Sequence, residues 1–342
     1  MMMTGEEALR TLPPLGDTRA TDAWLRAVDL VVTEATHRRV EGLAVAPDQA
    51  RLFSLGLNDM RLAQAGEART LTSAHLLVAI LIDRGAPPEV ILEVTTLATL
   101  IETGIDIIDN IADRELAPHW AAVPESAASL VGTLFVSGLP MALLADLPVP
   151  EARRLRMLAT IGRRSTAIAH GQQEDYALSG AATVELGRLE MSYRRKTGDR
   201  HGLLLTLALE AAGVTDQAVL AAATAYAHEL GLALQIRSDI GHLLGDEAMR
   251  DLRNGTRTWP VAFAMKTVGD DARAGLRALL QPETGCADAL VDTLRTSGAL
   301  VAATLRAERA AAAAREHISA FAYGAAAQAI VEIPTMRGSV TR

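Results

Sequence analysis

The sequence predicts an all-α protein, and three observations carry that expectation. Hydrophobic residues make up 49% of the 342 residues. Ala and Leu dominate them and β-branched runs are short, a composition that favours helices over strands. Apolar residues recur at three- and four-residue spacing through long stretches, as buried or amphipathic helices require. The breakers between those stretches are short: Gly85-Ala86-Pro87-Pro88, Pro118, Pro124, Leu139-Pro140, Pro148 to Pro150, Gly180, Gly213 and Gly269. There is no internal repeat and no sharp linker. The expectation is therefore one all-helical domain over residues 1–342, a bundle of ten or more helices, with 1–18 flexible.

The N-terminal stretch Met1 to Gly16 carries Glu6 and Glu7 and ends near Pro13-Pro14. It has no basic segment followed by an apolar run, so it does not read as a secretory signal. The longest apolar runs, Leu76 to Ile82 and Leu203 to Leu209, are too short to cross a bilayer, so no membrane span is expected. A net charge of −8 argues against nucleic acid as a partner. The single cysteine, Cys286, rules out an intramolecular disulfide and suits a reducing, cytoplasmic compartment.

Residues 97–116 read as one buried helix, with Leu97, Leu100, Ile101, Ile105, Ile108 and Ile111 at helical spacing. Asp106, Asp109 and Asp113 interrupt it at i, i+3 and i+7 and so share one face. Three carboxylates on an apolar helix repel one another and are costly to desolvate, so a cation should offset them. Hard divalent cations such as Mg²⁺ take such oxygen ligands together with substrate phosphates. Residues 226–246 repeat the spacing with Asp239, His242 and Asp246 in a second apolar helix. Two such helices facing each other would frame a cavity with ligands on both walls. Residues 298–332 are Ala-rich, with Arg306, Arg309 and Arg315 spaced along them, and read as an outer helix packing by small residues.

These segments resemble the motifs of the trans-isoprenyl diphosphate synthases, the polyprenyl synthetase family. Asp109-Asn110-Ile111-Ala112-Asp113 is similar to the first aspartate-rich motif, DDxxD, with Asn in second place. Gln235-Ile236-Arg237-Ser238-Asp239-Ile240-Gly241-His242, then Gly245-Asp246, is similar to the second. Gly171-Gln172-Gln173-Glu174-Asp175 resembles GQxxD, Lys196-Thr197 the KT pair, and the segment from Asp251 to Pro260 the D-x-x-x-GK-x-T-x-P stretch. The matches run in family order from Gly66 to Pro260.

The resemblance implies an isoprenoid synthase fold, a bundle of helices around a central cavity. It also implies an allylic prenyl diphosphate as substrate, three Mg²⁺ ions with the diphosphate bound, and a homodimer. Residue by residue, Asp109, Asp113 and Lys196 would carry catalysis. Metal would be held by Asp106, Asp109, Asp113, Ser238, Asp239, His242 and Asp246. Arg114, Lys196, Gln235 and Arg257 would contact the diphosphate. Ile101, Gly104, Ile105, Gln172 and Tyr193 would line the prenyl pocket, where the bare Gly104 would leave room for a long tail such as that of geranylgeranyl diphosphate.

The chain also departs from the family. In the second motif Ser238 and His242 stand where the family has Asp, in the frame of the metal site of class I terpene synthases. The acceptor segment of chain-elongating members corresponds to Gly66-Glu67-Ala68-Arg69-Thr70-Leu71-Thr72, where Ala68 and Leu71 replace cations, and a family His falls on Glu102. These losses lead to the expectation that isopentenyl diphosphate is not incorporated and that the allylic cation is cyclised or quenched, as in a terpene synthase. The alternative is prenyl transfer, to isopentenyl diphosphate or to another acceptor. Aromatic content of only 3% favours that alternative, because cyclases use aromatic faces against carbocations. The candidates for such a role are Trp120, Phe135, Tyr176, Tyr193, Trp259 and Phe263, each of which reads first as a plain core residue. A third possibility, a regulatory subunit of a heteromeric synthase, fits poorly with an intact Asp109, Asp113 and Lys196.

Overall fold

The computed structural model describes residues 5–12, 18–60, 72–179, 181, 183–245, 257–280, 286–322 and 324–332. Among them there are helices and no strand. In chain order they are α1 (Gly5–Arg10), α2 (Thr18–Leu43), α3 (Pro47–Leu57), α4 (Ser73–Asp83), α5 (Pro88–Ala112), α6 (Glu125–Val136), α7 (Gly138–Asp146) and α8 (Glu151–Leu178). Then follow α9 (Leu186–Tyr193), α10 (Asp199–Ala211), α11 (Gln217–Leu244), α12 (Trp259–Thr267), α13 (Asp270–Leu279), α14 (Ala287–Thr296), α15 (Ala299–Ile318) and α16 (Ala325–Glu332). A 3₁₀ turn spans Pro118–Trp120, and a π-helical turn, Arg194–Gly198, joins α9 to α10. Part of the N-terminal stretch expected to be flexible is thus the helix α1.

The chain divides into two compact units. The first holds Met1–Ile161, Leu204–Asp216 and Ala322–Thr335, and the second Gly162–Leu203, Gln217–Phe321 and Met336–Arg342.

In the first unit α5 is the central helix, packed by α2, α4, α6 and α7. Pro87 and Pro88 start it, since proline's missing N–H costs nothing in a first turn. Val94, Leu97, Leu100, Ile101 and Ile107 are buried along it, each contributing about 1.5–3 kcal/mol. Two of its buried threonines are satisfied locally: Thr95 donates to the Ile91 carbonyl at 2.7 Å and Thr103 to that of Thr99 at 2.8 Å. α5 and α6 cross at glycines, where a Cβ on Gly104 would lie 2.8 Å from the Gly132 carbonyl oxygen. At the start of α4, the buried His75 accepts from the Thr72 N–H at 3.0 Å and places Nε2 2.9 Å from Asp29. α16 packs on α4, where Asp83 accepts from the Ala327 N–H at 3.0 Å.

In the second unit α11 packs along α15. Ala303, Ala307, Ala310, Ala311 and Ala314 are the buried stripe that allows the close approach, as the Ala-rich pattern suggested. Arg306 is not a solvent charge, however. It forms two bonds to Glu190, at 2.8 and 2.7 Å. Gly231 of α11 meets Gly198 of the π turn so closely that a Cβ there would collide with the backbone.

Two helical stretches, Glu125–Asp146 and Gln217–Leu244, are long and apolar enough to cross a bilayer by length and composition. Polar residues, glycine and proline break up their apolar runs, so neither reads as one continuous run in the sequence. Each serves here as packing: α6 and α7 cover α5, and α11 covers α15.

Candidate active site

The first acidic motif lies where α5 ends. The helix stops at Ala112, not at 116, and Asp113 is its C-cap. Arg114 follows with φ of +60°, a left-handed conformation that non-glycine residues adopt only when held. It is held by a double closure in which the Arg114 N–H donates to the Ile111 carbonyl at 3.1 Å and the Glu115 N–H to that of Asn110 at 2.6 Å. The three acids do not share one environment. Asp106 is buried, Asp109 half-buried and Asp113 exposed, and Ile108 is 38% exposed. The buried helix expected over 97–116 therefore opens to solvent in its last turn, at the motif. Two accessible carboxylates one turn apart fit a hard divalent cation, with Asp106 a turn deeper.

The second unit brings three sequence motifs together. Lys196 Nζ donates to Asp175 Oδ2 at 3.1 Å, which joins the KT pair to GQxxD. Thr197 donates to Gln235 Oε1 at 3.0 Å, which joins the KT pair to the second acidic segment. Gly171 packs against the backbone of Arg195 and Lys196, with no room for a side chain, and its carbonyl accepts from Ser192 Oγ at 3.0 Å. Both polar atoms of the Gln172 amide are buried, and neither has a hydrogen-bond partner among the described residues. All of this is built on the π turn, an irregularity that tends to occur at functional sites. Asp175 was visible only as the last letter of its motif, and nothing in the sequence pointed to the π turn.

The second acidic motif is tied into the packing around it. Asp239 is 4% exposed, and its Oδ2 accepts from the Tyr193 hydroxyl at 2.6 Å and the Trp259 N–H at 2.8 Å. It joins α9, α11 and the start of α12, and so ties the second motif to the helices around it. Tyr193 is 3% exposed and lines no open wall; burial, then the charges of Asp239 and Asp175, raise its hydroxyl well above the ordinary value and keep it a donor. Ser238 and His242 are half-buried, with Ser238 Oγ 3.3 Å from His242 Nε2, a poorer match for a hard cation than carboxylates. Asp246, the 66–71 part of the acceptor segment and the 251–256 part of the last motif lie outside the described residues. Among the described residues no three His, Cys, Asp or Glu side chains group as a metal site. Arg257 is half-buried and donates to the Ala181 carbonyl at 2.9 Å, and burial lowers its pKa.

The prenyl slot expected beside Gly104 is filled. Gly132, Phe135 and Val136 of α6 occupy the space a side chain would take, and Ile101 is 1% exposed within the core. Ile105 is half-buried. The preference for a twenty-carbon tail loses its physical basis with the slot. The aromatic candidates are mostly structural: Trp120, Phe135, Tyr193 and Trp259 are buried, and Trp259 stacks on Phe263 with centroids 5.2 Å apart. Tyr176 is 47% exposed.

The model of the polyprenyl synthetase family matches residues 70–296. The chain belongs to the polyprenyl synthetase family. Among curated relatives of this family member, the farnesyl diphosphate synthase of Escherichia coli (strain K12) is 28% identical over 188 residues. That match takes in 49% of the chain and 62% of the relative, so the chain spans less than two thirds of that relative's length. Among solved structures, a polyprenyl synthase from Caulobacter crescentus CB15, complexed with calcium and isoprenyl diphosphate, superposes with a TM-score of 0.73 at 18% identity, covering 99% of this chain and 100% of that one. The geranylgeranyl pyrophosphate synthetase of Pyrococcus horikoshii Ot3 gives 0.71 at 18% identity, covering 90% and 98%. At this identity the likeness establishes the all-α isoprenoid synthase fold. These relatives are named as synthases of prenyl diphosphates, so the expectation of cyclisation draws no support from them.

Proposed function

We propose that this family member is a metal-dependent prenyltransferase that ionises an allylic prenyl diphosphate and lengthens it with isopentenyl diphosphate. The observation that carries this reading is the family match from 70 to 296, which includes both acidic motifs. Asp109 and Asp113 would hold Mg²⁺, which when bound supplies charge neutralisation for the departing diphosphate. Lys196, restrained by Asp175, would donate to a diphosphate oxygen. The allylic C–O bond breaks and its electron pair leaves with the diphosphate. The acceptor double bond supplies the pair for the new C–C bond, and the acceptor then loses a proton. Burial of most of the aromatic residues leaves few faces to guide a cation through cyclisation, which supports transfer over ring closure. On the same reading the protein works as a homodimer in a reducing cytoplasm.

One observation favours a second reading, transfer to a different acceptor. Glu102 accepts from Ser73 Oγ at 3.1 Å, an acid at the position where the resemblance calls for a basic group toward a second diphosphate. One experiment tests the elongation reading. The pure protein is incubated with Mg²⁺ and the ten-, fifteen- and twenty-carbon allylic diphosphates, with and without isopentenyl diphosphate, and extracts are analysed by mass. A longer linear prenyl diphosphate formed only with isopentenyl diphosphate supports elongation. A cyclic or hydroxylated hydrocarbon formed without it refutes elongation.

A further inference from the structure

The loop after the first acidic motif is anchored to a buried carboxylate. Asp59, just past the end of α3, has a side chain only 8% exposed. Its Oδ2 accepts from the Trp120 indole N–H at 2.6 Å, and its Oδ1 lies 3.3 Å from His119 Nε2. Trp120 is 2% exposed, its ring centroid lies 5.6 Å from that of His119, and both residues sit in the Pro118–Trp120 3₁₀ turn. Six residues upstream of Trp120, the left-handed Arg114 ends α5 immediately after Asp113. A strained non-glycine residue persists only where its surroundings over-determine it. On one side the closing bonds to Asn110 and Ile111 fix it, and on the other the short loop runs to the Asp59 anchor.

We infer that Asp59, His119 and Trp120 are positioning residues that hold the exposed end of the acidic motif, Asp113 with Arg114, ready for a divalent cation and a diphosphate. The inference rests on the prenyl-transfer reading. A carboxylate at a helix end frays with its last turn. A metal ligand must be presented in one geometry, and losing the outer partners that orient ligands typically costs about 10–100-fold in metal affinity. Neither Asp59 nor Trp120 has to touch the metal.

The test is titration calorimetry of Mg²⁺ with inorganic pyrophosphate into the full chain, which needs no turnover. The variants are Trp120→Phe, which keeps a ring and removes the donor, Asp59→Ala, and Asp59→Asn, which keeps an acceptor oxygen. Trp120→Phe and Asp59→Ala should weaken Mg²⁺ binding about tenfold, and Asp59→Asn should recover most of the loss. If Trp120→Phe does not fold, the two Asp59 variants carry the comparison. Lower melting temperatures with unchanged Mg²⁺ affinity would overturn the positioning role and leave the anchor purely structural. No binding heat from the wild type would instead overturn the prenyl-transfer reading, and the positioning role with it.

Discussion

Asp109 sits half-buried one turn before the exposed Asp113, so its carboxylate is held near a second negative charge with little packing to lose. Asp109→Ala should therefore abolish turnover while metal-free thermal stability stays unchanged or rises, as relief of repulsion requires. Activity close to wild type in that variant would remove the site from α5. Glu190 makes the opposite case. Burial pushes its carboxyl up, but bonds from Arg306 and the Trp259 indole, with the charges of Arg306 and Arg194, outweigh burial and hold it below the ordinary value. A carboxyl depressed in the folded state adds stability above the unfolded pKa of 4.5 and loses it as pH falls through the folded value. Resistance to denaturant should thus fall below pH 4.5, and Glu190→Gln should flatten that dependence. The variant should also cost about 1.5–3 kcal/mol at neutral pH, since a bonded charge is lost and Arg306 is left behind. An unchanged acid limb in Glu190→Gln would assign the acid sensitivity elsewhere, with Asp199 next in line: burial raises it, but His228 and Arg164 hold it below the ordinary value.

At the scale of elements, the sequence located helices well and their neighbours poorly. The apolar period of α5 was legible because buried Leu and Ile recur on its inner face. Its end was not legible, because a left-handed Arg114 has no sequence mark where glycine would be the usual residue. Gly104 looked like open space because periodicity cannot say what lies opposite a bare Cα. Gly132 and Phe135 lie opposite it, and they turn the expected slot into a helix crossing. Gly104→Ala should accordingly cost about 1–3 kcal/mol by overpacking. Gly104→Phe should unfold the first unit and not shift substrate length. A folded Gly104→Phe enzyme with a shorter preferred substrate would restore the slot. The Lys196–Asp175 and Thr197–Gln235 pairs join motifs that lie apart along the chain. Only the π turn explains why GQxxD, KT and Gln235 meet.

At the scale of the molecule, the all-α class followed from composition and period, and the family from five ordered motifs. The chemistry of the cation followed less well. Ser238, His242 and the altered acceptor segment pointed to cyclisation because they replace groups that chain-elongating members of the family carry. The burial of Trp120, Phe135, Tyr193 and Trp259 agrees with the core reading of these aromatics. The central claim is that this chain extends an allylic diphosphate, and radiolabelled isopentenyl diphosphate tests it most directly. With Mg²⁺ and a farnesyl or geranyl diphosphate primer, the account predicts label in a linear prenyl diphosphate longer than the primer, lost on chelation and lost in Asp109→Ala. Consumption of the primer with no label in any product would contradict it.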